Sequence, residues 1–237
     1  MARRCLNIAH RGASGRFPEN TLAAFSAAIE AGADMCELDV QPTRDGTVMV
    51  LHDKTLDRTT DGRGPLNALT LAQVRSLNVM NGRGRSPSGE HVPTLDEVFS
   101  LVRGRCALNI ELKAEGVEAE VCRAIRDNNE LENSIVSSFD WIALERIRKI
   151  EPQIRIGVLG DRAPNKMLAT ASELKAVAIN PRFNLVDAPL CSEAHRRGLY
   201  VYVWTVDDVQ TMWAMLDRGV DGIMTNFPER LRVLIEE

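Results

Sequence analysis

Acidic and apolar residues alternate in the segment 36–41, which reads Cys-Glu-Leu-Asp-Val-Gln. Successive side chains of a β-strand point to opposite faces, so Glu37, Asp39 and Gln41 would share one face of a strand. Two carboxylates side by side among apolar neighbours repel each other and are costly to remove from water. A bound cation would relieve that repulsion. The alternative is a strand whose acidic face is open to solvent.

Polar residues also end two other predicted strands. His10 and Arg11 close the first apolar run, and Glu111 and Lys113 alternate at the end of the segment 107–112. A third carboxylate would complete a set of hard oxygen ligands, which favours Mg²⁺ or Ca²⁺ over zinc. Taken alone, His-Arg-Gly fits an ordinary loop and Glu-x-Lys fits a surface ion pair, so the prediction depends on their combination.

The dipeptide Asp45-Gly46 indicates a tight hairpin after the acidic segment. If the turn has two residues, Asp39 lies opposite His52 on the returning strand. The sequence thus offers two histidines, His10 and His52. Such a pair suits a reaction that removes one proton and delivers another near neutral pH.

Short apolar runs alternate with amphipathic helical patterns along the whole chain, as expected for parallel strands joined by crossover helices. We predict eight strands, at 6–10, 35–41, 107–112, 135–138, 154–159, 176–180, 200–205 and 222–225. We predict helices at 21–31, 117–128, 141–150, 189–197 and 209–218. Eight such units in 237 residues predict an α/β protein with a closed (β/α)8 TIM barrel. An open doubly wound sheet is the alternative, but no Gly-x-Gly-x-x-Gly follows the first strand.

The segment 54–93 interrupts this rhythm and is rich in Gly, Arg, Asn and Thr. We interpret it as a small insertion within a single domain that spans residues 1–237. Thr70 and Gln73 indicate a helix start inside it, and Thr94 and Glu97 indicate another where the regular pattern resumes.

Composition excludes several classes of protein. The net charge of −4, with acids and bases mixed throughout, gives no basic face for nucleic acid and no polybasic membrane segment. The five scattered cysteines are interpreted as reduced core residues. We find no signal peptide and no membrane-length apolar run, and we therefore expect a cytoplasmic protein without stable membrane insertion.

The chain resembles the glycerophosphodiester phosphodiesterase family, which comprises PLC-like phosphodiesterases with a TIM barrel, in the content, order and spacing of its motifs. These are His10-Arg11-Gly12, Pro18-Glu19-Asn20-Thr21, Glu37-x-Asp39, His52-Asp53 and Glu111-x-Lys113. The segments around Trp204 and 219–228 are similar as well, so the resemblance covers nearly the whole chain. One departure is Asn226, where Asp is often expected, and we interpret it as affecting only a peripheral contact.

The resemblance implies metal-dependent hydrolysis of a small glycerophosphodiester to glycerol 3-phosphate and an alcohol. It implies that Glu37, Asp39 and Glu111 hold one divalent cation, Mg²⁺ or Ca²⁺, and that His10 and His52 are the acid and base. Arg11 and Lys113 would contact phosphate, with Glu19 and Trp204 as further substrate contacts. Attack by the substrate's own glycerol hydroxyl, through a cyclic phosphate, and direct attack by water both remain open.

Aromatic residues that follow predicted strands suggest an apolar rim around the site. These are Phe17, Phe139, Phe183 and Phe227. His91 and His195 have polar neighbours and are interpreted as solvated. Two alternative functions are a lysophospholipase D-type lipid phosphodiesterase and a non-catalytic barrel that binds phosphodiesters.

Overall fold

The computed structural model describes residues 5–81, 84–85 and 89–236. Residues 1–4 and residue 237 lie outside the described residues. The same holds for residues 82–83 and 86–88 of the predicted insertion. The expectation that the chain has no signal peptide falls partly on residues 1–4.

Eight parallel strands close into a barrel, in the order β1-β11-β10-β9-β8-β7-β6-β2 with β2 paired back to β1. The described strands are β1 Leu6–His10, β2 Met35–Pro42, β3 Val48–Val50, β4 Met80–Asn81, β5 Gly84–Arg85, β6 Ala107–Leu112, β7 Ser134–Ser138, β8 Arg155–Gly160, β9 Ala178–Pro181, β10 Tyr200–Val203 and β11 Gly222–Thr225. Because β1 pairs with both β2 and β11, the sheet has no free edge among the eight. The predicted TIM barrel is confirmed, and the open doubly wound sheet is excluded.

Helices on the outside connect the strands. The described α-helices are α1 Leu22–Glu30, α2 Leu71–Arg75, α3 Leu95–Val102, α4 Glu118–Asp127, α5 Trp141–Ile150, α6 Pro164–Glu173, α7 Ala188–Arg196, α8 Val209–Arg218 and α9 Pro228–Glu236. Both predicted capping boxes form, at Thr70 with Gln73 and at Thr94 with Glu97. The sequence patterns did not predict α6 and α9, each of which begins at a proline, a residue well suited to a first helical turn.

Apolar side chains fill the lower part of the barrel interior, and polar ones occupy the end where the strands finish. The interior cluster comprises Ile8, Met35, Ile135, Ala178, Tyr202 and Met224. Further along the same inward faces come Glu37 and Asp39 of β2 and Glu111 of β6, all buried. Active sites of TIM barrels lie at this carboxyl end of the strands.

The hairpin after β2 differs from its predicted form by one residue. The Thr43 N–H donates to the Thr47 carbonyl at 2.9 Å, so the loop holds three residues, 44–46, instead of two. Gly46 takes a φ of 82°, the left-handed position that ends a three-residue hairpin loop.

The longer loop shifts the strand register. Val40 pairs with Val50, and the Leu51 N–H donates to the Asp39 carbonyl at 2.9 Å. The predicted pairing of Asp39 with His52 is therefore wrong by one residue. His52 follows the residue that faces Asp39 and lies just beyond the strand.

The described residues of the segment 54–93 form a cap with their own small apolar core. It contains α2, the β4–β5 pair and a 3₁₀ turn at Leu66–Ala68. Leu56, Leu66 and Val74 pack there against Met49 and Leu51 of the hairpin. The cap is thus anchored to the loop that carries His52.

All five cysteines are free thiols, and four of them are buried. Cys106 is half-buried, and its Sγ lies 3.6 Å from that of Cys36. Within the described residues, no helix has both the length and the apolar character needed to span a membrane.

Candidate active site

Three carboxylates meet inside the mouth of the barrel because of the strand register. Asp39 of β2 is paired with Glu111 of β6, and Glu37 lies one inward-facing position earlier on β2. Each offers an oxygen within 4.8 Å of the other two, and all three side chains are buried. The spacing suits three ligands of one hard cation.

The electrostatics of this cluster favour neutralisation of part of its negative charge. Burial, followed by the charges of Asp39 and Glu111, raises the pKa of Glu37 well above its usual range. Burial and the charge of Asp39 raise the pKa of Glu111 to about 7. Burial would also raise the pKa of Asp39, but the charges of Lys113 and Arg11 lower it. A proton or a metal cation would each relieve the repulsion.

Two fixed cations border the carboxylates. Lys113 Nζ lies 3.2 Å from Asp39 Oδ1 and 2.5 Å from Glu111 Oε1. Arg11 Nε lies 3.1 Å from Asp39 Oδ2, and its Nη1 donates to Glu19 Oε1 at 2.9 Å. Two positive charges face three carboxyl groups, so the cluster can accept further positive charge.

The loop after β1 has an unusual backbone that sets these contacts. Arg11 and Asn20 have φ values of 56° and 58°, in the left-handed region that non-glycine residues seldom adopt. The Arg11 N–H donates to the Glu37 carbonyl at 2.9 Å, and Asn20 Nδ2 donates to Asp39 Oδ2 at 2.9 Å. Backbone strain of this kind is concentrated at functional sites.

His10 is aimed at the carboxylates from the end of β1. Its Nε2 lies 3.9 Å from Glu37 Oε2, and its Nδ1 lies 2.7 Å from Asn226 Oδ1. Burial, together with the charge of Arg11, lowers the pKa of His10 to about 4. Its imidazole is therefore neutral at neutral pH. The expectation that Asn226 makes only a peripheral contact is wrong, because it hydrogen bonds directly to this ring.

His52 is held by a chain of charged groups that ends in the cap. Its Nδ1 lies 2.6 Å from Asp53 Oδ1, and Arg58 Nε donates to Asp53 Oδ2 at 2.6 Å. Arg58 also donates to both carboxylate oxygens of Glu19, at 2.7 and 2.8 Å. Hydrogen bonding by Arg58 lowers the pKa of Asp53 to about 2, so Asp53 is ionised at neutral pH. Glu19 thus bridges Arg58 and Arg11.

Gln41 supports the same loop from below. Its Nε2 lies 2.6 to 3.0 Å from the carbonyl oxygens of Leu51, His52 and Asp53. Gln41 shares the inward face of Glu37 and Asp39, as the alternation predicted, but it contacts backbone carbonyls instead of joining the acidic cluster.

These groups line a cavity of about 270 Å³. Its lining includes His10, Arg11, Glu37, His52, Asn109, Glu111, Lys113, Phe139 and Trp204. The Phe139 and Trp204 rings meet edge to face with centroids 5.5 Å apart, and Trp204 Nε1 donates to the Asn180 carbonyl at 2.8 Å. They give the polar cavity one apolar wall.

The predicted aromatic rim of four residues does not form as a unit. Phe139 is the member that lines the site cavity. Phe17 borders a neighbouring cavity of about 770 Å³ together with Glu19 and Arg58. Phe183 packs against the core, and Phe227 lies under the Arg230 guanidinium.

His195 is exposed, as the sequence suggested, and it also contacts a carboxylate. Its Nε2 lies 2.8 Å from Asp221 Oδ2, and Asp221 precedes β11 at the opposite end of the barrel. This pair belongs to the end of TIM barrels that is associated with stability. His91 is half-buried in the cap.

Sequence reasoning missed Arg58, Asp207 and the true contact of Asn226. Arg58 lies in the segment interpreted as an insertion, and Asp207 is one of several acids that follow Trp204. Their partners are distant in sequence, so local pattern carried no signal for them. By contrast, residues of four of the five motifs line one cavity, and Glu19 and Asn20 of the fifth motif hydrogen bond to Arg11 and Asp39 beside it.

Comparison with known proteins gives a consistent result. Residues 10–230 match the glycerophosphoryl diester phosphodiesterase family. A glycerophosphodiester phosphodiesterase of Caldanaerobacter subterraneus subsp. tengcongensis is 39% identical over 238 residues, covering 98% of each chain.

Two solved structures share the fold over nearly their full length. A phosphodiesterase of Oleispira antarctica, in complex with the product sn-glycerol-3-phosphate, superposes with a TM-score of 0.88 at 29% identity, covering 97% of this chain and 96% of its own. A glycerophosphodiester phosphodiesterase of Agrobacterium tumefaciens gives a TM-score of 0.85 at 28% identity, covering 98% and 100%.

Proposed function

Since the chain belongs to the glycerophosphoryl diester phosphodiesterase family and is an enzyme of that class, we propose that it hydrolyses glycerophosphodiesters to glycerol 3-phosphate and an alcohol. In this proposal Glu37, Asp39 and Glu111 hold a divalent cation, and His10 and His52 transfer protons. The observation that carries it is the meeting of three buried carboxylates at the carboxyl end of the barrel, beside a cavity that is lined by two of them, Glu37 and Glu111, and by both imidazoles.

The donor set fits a divalent cation. It consists of carboxylate oxygens alone, which suits Mg²⁺ or Ca²⁺ better than zinc. Burial, followed by repulsion from the neighbouring carboxylates, raises the pKa values of Glu37 and Glu111, and such a cation would offset both effects. When bound, the cation would offset negative charge on the phosphodiester during reaction.

The two histidines have different partners, which supports different roles. His10 faces the neutral amide of Asn226 and is uncharged, so its Nε2 suits the removal of a proton from the attacking oxygen. That oxygen would belong either to water or to the substrate's own glycerol hydroxyl, and in the second case water would then open the cyclic phosphate to glycerol 3-phosphate. His52 Nδ1 lies 2.6 Å from the carboxylate of Asp53, which orients the ring. In the proposed reaction the Nε2 proton of His52 passes to the oxygen of the leaving alcohol.

The remaining groups would bind and orient the diester. Arg11 and Lys113 lie beside the carboxylates, where their charges would attract the phosphate oxygens. Trp204 and Phe139 form the apolar wall, suited to the carbon side of the glycerol. Glu19 fixes Arg11 and Arg58, so its contribution to substrate binding would act through those two side chains.

A substrate panel tests the proposal. The protein is incubated in Mg²⁺ or Ca²⁺ with glycerophosphocholine, glycerophosphoethanolamine, glycerophosphoglycerol, a lysophospholipid and bis(p-nitrophenyl) phosphate, and released glycerol 3-phosphate is measured. We expect release from the three glycerophosphodiesters. Absence of glycerol 3-phosphate with all three would contradict the proposal, and faster turnover of the lysophospholipid would reassign the substrate class.

A further inference from the structure

A hydrogen-bonded chain leads from the loop after β10 to the ring of His10. Asp207 Oδ2 accepts from Asn226 Nδ2 at 2.7 Å, and Asn226 Oδ1 lies 2.7 Å from His10 Nδ1. Asp207 Oδ1 also accepts from the Asn226 backbone N–H at 2.8 Å and from the Thr225 hydroxyl at 3.1 Å. Two hydrogen bonds from Asn226, the residue that touches His10, and one from the adjacent Thr225 therefore fix Asp207 in place.

The chain determines which nitrogen of His10 carries the proton. A carboxylate can only accept, so the Asn226 atom that faces Asp207 must be the NH₂ group. The Asn226 atom that faces His10 is then the carbonyl oxygen, which also only accepts. His10 Nδ1 must donate, and in the neutral ring Nε2 is left with a free lone pair.

Nε2 is the nitrogen that points toward the acidic cluster, 3.9 Å from Glu37 Oε2. A base at this position needs its lone pair on that atom. If Nδ1 lost its acceptor, the alternative neutral tautomer would place a hydrogen on Nε2 and block proton uptake there.

We infer that Asn226 and Asp207 are positioning residues that hold His10 in the Nδ1–H tautomer with its Nε2 lone pair toward the reaction site. The tautomer itself follows from geometry, whereas its effect on rate rests on the proposed function. The half-buried hydroxyl of Ser14 lies 2.8 Å from Asn226 Oδ1 and 2.7 Å from the His10 carbonyl oxygen, and its single proton can be donated to one of the two at a time.

Nitrogen-15 NMR of histidine-labelled protein in Mg²⁺ tests the tautomer directly, with the His10 ring signals assigned from their loss in His10→Gln. We expect a protonated Nδ1 and an unprotonated Nε2 in the unmodified protein. Asn226→Leu removes the acceptor and Asp207→Asn releases the amide orientation, so both variants should raise the Nε2–H population. Each should also lower kcat by about 10- to 100-fold with a smaller change in KM, a share of the roughly 10²- to 10⁴-fold supplied by acid–base catalysis.

Two variants serve as controls. Asn226→Asp loses the donor to Asp207 but retains an oxygen acceptor for Nδ1, so it should keep Nδ1 protonated. A shift of the tautomer in Asn226→Leu alone would then be due to the missing acceptor and not to the altered contact with Asp207. Asp208→Asn makes the same chemical change as Asp207→Asn at the next residue, an exposed N-cap of α8 that asparagine also fills well. It should leave both the tautomer and kcat unchanged.

The outcomes separate this inference from the proposed function. An unchanged His10 tautomer in folded Asn226→Leu and Asp207→Asn, or an Nε2–H ring in the unmodified protein, would overturn the inference. A tautomer that shifts without loss of kcat would leave the tautomer assignment standing and contradict proton transfer by His10.

Discussion

Asp39 and Glu111 face each other across the β2–β6 register, and Lys113 Nζ contacts both carboxylates. Two acids on neighbouring strands of a buried sheet are costly unless positive charge lies between them. The single lysine is shared, and the third carboxylate of Glu37 adds to the repulsion. The barrel therefore positions three carboxylates that have capacity for a further positive charge.

Metal binding should stabilise the protein more at pH 8 than at pH 5. The pKa of Glu111 is raised from 4.5 to about 7 in the folded metal-free protein. A raised carboxyl pKa gives stability that is fully present below about 4.5 and is lost as pH rises through about 7. A cation replaces the proton, so the increase in Tm on adding Mg²⁺ or Ca²⁺ should grow across this window.

Differential scanning fluorimetry in chelator and in metal, at several pH values, measures this effect. For a domain of this size, about 1 kcal/mol shifts Tm by about 2–4 °C, so the change is readily detected. Glu111→Gln provides the control, because it removes the titrating group and a ligand together, and its Tm should respond less to both pH and metal. A metal-induced shift equal at pH 5 and pH 8 would argue against the three carboxylates as ligands.

His10→Ala and His52→Ala should each reduce kcat by about 100-fold or more, which is the usual scale for loss of a general acid or base. His195→Ala is a matched control, since His195 also pairs with a carboxylate but lies at the other end of the barrel. Its kcat should be unchanged even if its Tm falls. Steady-state turnover of glycerophosphoethanolamine, with folding checked by circular dichroism, measures all three. Full activity in either of the first two variants would remove that histidine from the mechanism.

Arg58→Met should lower kcat by about tenfold, because Asp53 would lose the partner that orients it toward His52. Arg58→Lys keeps a charge but loses the planar fork that reaches two carboxylates, so partial activity is expected. Arg63 lies in the same cap, is highly exposed and pairs only loosely with Asp57, which makes Arg63→Met the control. Equal kcat in the two methionine variants would show that the cap does not support His52.

Gly12→Ala should destabilise the protein by about 2 kcal/mol or more, judged by urea unfolding. Gly12 has a φ of 79°, and an added Cβ would lie 2.6 Å from the Ala24 backbone. Gly46 has a similar φ of 82° with open space around it, so Gly46→Ala should cost only the backbone strain, about 1 kcal/mol. Equal losses in the two variants would mean that contact with α1 does not restrict Gly12.

Much of the site was predictable because strands have a period of two. Alternation in β2 and β6 predicted which carboxylates share a face, and the order of strands and helices predicted the barrel that brings them together. Register between neighbouring strands cannot be read from either strand alone, since it depends on pairing across the sheet. The hairpin illustrates this limit, because one additional loop residue moved His52 past the position predicted for it.

The supporting contacts were less predictable. Asn226 and His10 are 216 residues apart in sequence, and Arg58 and Glu19 are 39 apart. Each partner would be unremarkable alone, because loops after strands are commonly polar. Only closure of the barrel between β1 and β11, and the docking of the cap, places them in contact.

Hydrolysis of glycerophosphoethanolamine by metal-stripped protein tests the central claim most directly. We predict no release of glycerol 3-phosphate in EDTA and recovery on adding excess Mg²⁺ or Ca²⁺, with no recovery in folded Asp39→Asn. An undiminished rate in chelator, with the stripped protein verified free of metal, would contradict the assignment of Glu37, Asp39 and Glu111 as the ligands of a required cation.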